Sequence, residues 1–294
     1  MTSRIFSILS MVLLLTVQVC AGDFIYFTCM EPAPVFSMDI FRMNPDGTGI
    51  ERVTDLPGRE WCPCITPDGE TMFFVADHKA GTDIMRMNLT DRTLENVGSS
   101  WHEIFDLSIS PDGDMLVFSA FDTVNPNNDF DIFTSDIDGG NQKRVVSNPG
   151  PDTLGRLNRG NTQIVYQSQT SKGYQVFLHT IDTGNSALLS KKDQCQAFSP
   201  VFTASGDNVV FARSDRNGPN GLFMMDLRGD GVVQIFRGQD GELNPSCSPD
   251  GKSVVFSVLH SCMKNQIFRV DLDGQNLSLL TDLSRFYMFP FWGR

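Results

Sequence analysis

Apolar positions along this chain fall into short runs interrupted at regular intervals by Pro-Asp-Gly or Asp-Gly. The stretch from Asn244 to Val258 reads NPSCSPDGKSVVFSV, and close copies stand at Cys62 to Ala76, CPCITPDGETMFFVA, and at Asp106 to Ala120, DLSISPDGDMLVFSA. A second phrase begins at Asp39 with DIFRMNPDGTGIERVTD and recurs from Asp83, Asp131, Gln175, Gly221 and Gln266, at spacings of 44, 48, 44, 46 and 45 residues. Glycine takes positive φ cheaply and Asp bonds its own nearby backbone, so apolar runs joined by such turns predict β-hairpins. Each unit holds two such pairs. Four strands per unit, repeated at this period, predict the blades of a propeller.

The two ends complement each other. After the sixth phrase the chain runs LSRFYMFPFWGR and stops where a Pro-Asp-Gly turn is due, while GDFIYFTC at residues 22–29 reads as the strand that should follow that turn. Joined tail to head, they predict a last blade with its inner strand from residues 287–292 and its other three strands from residues 24–54. The expected fold is therefore all-β: a six-bladed propeller closed by pairing of the N-terminal strand with the C-terminal strand. Closure of this kind leaves no free sheet edge at the seam.

The phrases SPDGK-x-V-V-F-S and x-I-F-x-x-D-x-D-G resemble the propeller repeats of the TolB family. The resemblance covers nearly the whole chain after residue 21 and implies the six-bladed fold, export and a role in binding another envelope or secreted protein. TolB itself carries an α/β domain ahead of its propeller, for which residues 22–294 show no counterpart. A fainter resemblance to oligogalacturonate lyases implies the alternative of a glycan-binding or polysaccharide-cleaving propeller.

Residues 1–21 have the layout of a secretory signal peptide: a basic start with Arg4, the apolar run IFSILSMVLLLTVQV, and the small residue Ala21 before Gly22. The domain reading is thus a signal peptide over 1–21 and a propeller over 22–294, in the periplasm or outside the cell. Beyond the leader no run reaches the roughly 20 apolar residues of a spanning helix. Cys20 leaves lipidation open. The remaining six cysteines could form up to three disulfides in an oxidising compartment, or stay as buried thiols. A formal net charge of −12 argues against nucleic acid as a partner, because phosphate recognition needs basic surface.

Strand order within a blade assigns the Pro-Asp-Gly and Asp-Gly turns to one face and the remaining connections to the other. Binding concentrates on variable loops held by a rigid scaffold. The expected site therefore lies on the second, loop-rich face, at the mouth of the central channel. Its candidates are Arg59, Glu60, Trp61, His78, Trp101, His102, Glu103, Asp122, Asp215, Glu242, His260, Arg285 and Tyr287. The two tryptophans suit an interface or a sugar ring, or else fill gaps between blades. No two histidines lie at ligand spacing, the Asp-Gly turns lack the alternating acids of a calcium loop, and no GxSxG or phosphate loop is present. No cofactor, metal or catalytic set is expected.

Overall fold

The computed structural model describes residues 23–31, 37–121, 128–191, 195–214, 220–238, 241–260 and 264–293. The proposed leader, Cys20, Asp122 and Asp215 lie outside the described residues, as do the side chain of Glu242 and the whole of Cys262.

Among the described residues, six four-stranded antiparallel sheets account for the 24 strands. Blade 1 comprises β4 (Glu60–Ile65), β5 (Thr71–His78), β6 (Gly81–Asn88) and β7 (Leu94–Trp101). Blade 2 follows with β8 (Glu103–Ile109), β9 (Met115–Phe121), β10 (Phe130–Asp136) and β11 (Lys143–Val146). Blade 3 contains β12 (Asp152–Leu157), β13 (Gln163–Thr170), β14 (Gly173–Thr180) and β15 (Asn185–Leu188), and blade 4 contains β16 (Gln196–Phe202), β17 (Asn208–Ser214), β18 (Asn220–Asp226) and β19 (Val233–Gly238). Blade 5 is β20 (Gly241–Cys247), β21 (Ser253–His260), β22 (Lys264–Asp271) and β23 (Ser278–Leu279).

The sixth sheet joins the two ends. Its order is β24 (Phe286–Gly293), β1 (Phe24–Met30), β2 (Met38–Met43) and β3 (Glu51–Arg52), with Ile25 opposite Trp292 and Cys29 opposite Tyr287. The closing blade packs on both neighbours. Ile25, Phe27 and Phe41 share a core with Val255 and Ile267 of blade 5, while Tyr26 and Ile40 meet Ile65, Met72 and Phe74 of blade 1.

Two devices repeat between and within blades. The glycine of a third-to-fourth-strand turn lies against a carbonyl of the preceding blade: Gly139 on Val97, Gly229 on Leu189, Gly274 on Ile235 and Gly47 on Leu280. A hydroxyl after the outer strand also accepts an N–H from the third strand, as Thr54 does from Ile40, Ser190 from Val176 and Thr281 from Ile267, at 2.8–3.1 Å. These buried bonds satisfy backbone donors beyond the reach of the short outer strands.

Every inner-strand ladder carries a register shift. Five left-handed residues, Cys62, Leu154, Ser199, Asn244 and Phe289, sit at these bulges with φ between 48 and 56°. Proline follows four of them, as Pro63, Pro200, Pro245 and Pro290. The inner strand borders the channel on one side, so a missing N–H costs no ladder bond there.

No disulfide joins any two of the five described cysteines. Cys29 and Cys247 are held as neutral thiols, burial pushing both up to about 12.

Candidate functional site

The sequence candidates among the described residues occupy different surroundings. Trp101 ends β7 rather than lying in a loop, because that strand runs on until only His102 separates it from β8. Its ring meets Phe133 at 4.6 Å and Phe118 at 5.5 Å, which makes it a filler between blades 1 and 2. Trp61 is half-buried in β4. Its indole N–H donates to the Phe105 carbonyl at 3.1 Å, and Arg59 lies over its ring at 5.8 Å. Arg59 in turn pairs with Asp77 at 2.6 Å.

His78, at the end of β5, has Nε2 3.4 Å from Asp83 and accepts the Ala80 N–H on Nδ1. His102 is exposed and packs on Phe121, Glu103 is exposed at the start of β8, and His260 is half-buried at the end of β21. Arg285 spans the closing blade, 3.3 Å from Glu31 and 5.4 Å above the Phe41 ring. Tyr287 is buried and donates its hydroxyl to Asp282 at 3.0 Å, with burial pushing it up to about 12. Among the described residues no group of three or more His, Cys, Asp and Glu is placed to hold a metal ion.

Glu60 is 1% exposed, between the closing blade and blade 1. Burial pushes its carboxyl up to about 7, with the charge of Asp39 adding to the rise and the Thr54 hydroxyl partly offsetting it. A folded value above the unfolded one means that the native state holds the proton more tightly. This group therefore costs nothing below about pH 4, and its penalty grows until the pH passes about 7. Glu60→Gln is expected to raise the melting temperature at pH 8, by an amount equivalent to about 3 kcal/mol at most. The gain should vanish toward pH 4, which melting curves of both proteins across that range would check.

The channel itself opens into a cavity of about 350 Å³ at the turn face, the end opposite the sequence candidates. All six inner strands contribute. Ile65, Ile109, Leu157, Phe202, Phe289 and Phe291 supply apolar wall, and six prolines, among them Pro63, Pro245 and Pro290, line it as well. Among the described residues, its charged lining consists of Arg156 and Arg159, both from blade 3. Arg156 Nη1 lies 3.0 Å from Oδ2 of the fully buried Asp106, whose Oδ1 accepts the Leu154 N–H at 3.0 Å. Arg159 is exposed at the rim, where blade 3 carries Asn-Arg-Gly-Asn in place of Ser-Pro-Asp-Gly. In the sequence Arg159 stands where the corresponding turns carry Pro67, Pro111, Ala204 and Pro249. The cavity was not readable there, because it depends on six bulged strands converging.

A curated relative, the uncharacterized protein Atu1656 of Agrobacterium fabrum (strain C58 / ATCC 33970), is 31% identical over 116 residues, which is 34% of this chain and 37% of the relative's own length. TolB from Acinetobacter baumannii superposes with a TM-score of 0.78 at 20% identity, over 93% of this chain and 67% of that one. A putative TolB from Agrobacterium tumefaciens gives 0.71 at 18% identity, over 93% and 99% respectively. These two likenesses establish a shared fold. The sequence pattern of the TolB beta propeller domain matches residues 120–293, well over half of the chain, and the protein belongs to that family.

Proposed function

We propose that the protein is an exported, non-catalytic propeller of the cell envelope that binds another protein, and that a segment of this partner enters the hub cavity at the turn face. The observation that carries the reading is the cavity: about 350 Å³, walled by all six blades, largely apolar, with two arginines at one side. A concave apolar pocket with a few convergent polar groups is the usual form of a binding site. Prolines along the wall keep the bordering backbone stiff, so little ordering is needed when a segment enters. Membership of the TolB propeller family supports an envelope location and a partner that is a protein. Because Trp101 is committed to the inter-blade core, Trp61 is the one of these two tryptophans left for an oligosaccharide on the loop-rich face.

A photo-crosslinking residue at position 159 should form one discrete protein adduct in envelope preparations of the source cell, whereas the same residue at Leu279 on the outer strand should form none. Ala204→Trp, which fills the rim, should reduce that adduct at least about tenfold at unchanged melting temperature. Absence of an adduct at 159, or an adduct indifferent to Ala204→Trp, would remove the hub cavity as the binding site.

A further inference from the structure

Five rings among the described residues are capped by an arginine of the chain itself. Arg42 lies over Phe24, Arg59 over Trp61, Arg213 over Phe223, Arg269 over Trp292 and Arg285 over Phe41, at 4.4–5.8 Å from the ring centroids. The aromatic group at the loop-rich end of blade 2 is not among them. There Phe105 meets Phe130 at 5.8 Å, Phe130 meets Phe121 at 5.6 Å, and the His102 ring meets Phe121 at 5.8 Å.

This group is partly open to solvent by construction. Phe105 falls where the β8 ladder shifts, with Ile104 opposite Ala120 and Asp106 opposite Ser119. One inserted residue reverses which side of the sheet the next side chain faces. Phe105 is accordingly 41% exposed although its neighbours Ile104 and Asp106 are fully buried. Phe121 stands opposite both Glu103 and Phe130 in the ladder, so an exposed carboxylate shares a row with two half-buried rings. Asp129 directly precedes Phe130, and the intervening sequence at 122–127 adds no Lys or Arg.

We propose that Phe105, Phe121 and Phe130, with Glu103 at their edge, form a second binding site, which takes a cationic side chain, guanidinium or ammonium, from a partner protein. Ring faces and a carboxylate attract the same ligand charge, and the rings also cover the apolar stem that carries it. The chain's net charge of −12 works in the same direction, raising the local concentration of a basic partner and repelling acidic sugars. The site lies at the opposite end of the blades from the hub cavity and stands independently of it.

The test is calorimetric titration of the purified protein with a peptide of five Arg-Gly repeats and with its citrulline counterpart, which keeps the shape and loses the charge. The arginine peptide is expected to bind at least about tenfold more tightly. Phe105→Leu and Glu103→Gln should each weaken it about three- to tenfold, with melting temperatures unmoved because both side chains are exposed. Equal binding of the two peptides, failure of both to bind, or full binding by both variants would overturn the proposal.

Discussion

Replacing Gly139 with alanine should destabilise the protein by on the order of 3 kcal/mol and lower its melting temperature by roughly 10 °C. Two costs combine. Gly139 has φ +81°, a region that L-residues enter at a penalty, and its added Cβ would overlap the Val97 carbonyl oxygen of the preceding blade. Backbone is the obstacle here, so no flexible side chain can swing aside. The turn must lift off β7 or the two blades must separate, and either movement opens the seam that Trp101 fills between Phe118 and Phe133. Gly206 is the internal control. Its φ of +79° is similar, but nothing lies within 4 Å of its Cβ position, so Gly206→Ala should show only the conformational part of the cost. Thermal melts of the two variants side by side would separate contact from strain. Equal losses in both would show that the inter-blade contact contributes nothing.

Much of this architecture was legible in the primary structure, and the parts that were not share one cause. Six phrases at near-constant spacing gave the blade count, and the fragments at the ends gave the closing sheet, because turn chemistry is local and survives in the residues themselves. Paired strands were assigned wherever apolar alternation was regular. The inner strands break that alternation. A single inserted residue at Cys62, Leu154 or Asn244 shifts every later side chain to the other face, and the hydrophobic pattern does not mark the inserted residue. Phe105 was therefore missed as an exposed ring, although it sits two residues beyond the candidate Glu103. Trp101 was taken for a loop residue because the extension of β7 follows from long-range pairing with β6. The recurring prolines at 63, 200, 245 and 290 were the one available sign of the bulges, since a proline inside a strand points to an edge. Glu60 gave no sign at all: a glutamate beside a turn reads as solvated, and its burial depends on the closing blade folding over it.

The closing blade is where the account is most exposed. Without residues 286–293 the sheet of β1, β2 and β3 loses its inner strand, and the channel loses the wall formed by Phe289, Phe291 and Trp292. Ile25, Phe27, Cys29 and Tyr26, now each at most 1% exposed, would border a gap rather than a core. Leaving large core side chains without partners costs several kcal/mol per residue, so four of them together match the ~5–15 kcal/mol that holds a typical domain together. A chain ending at residue 285 is expected to lack a cooperative thermal transition, and a synthetic peptide of the 286–293 sequence, added in excess, is expected to restore one by mass action. The deciding measurement is the melting curve of that shortened chain with and without the peptide. The six-bladed ring predicts its loss and its recovery; a melting temperature within about 2 °C of the full-length value in the absence of peptide would contradict the ring.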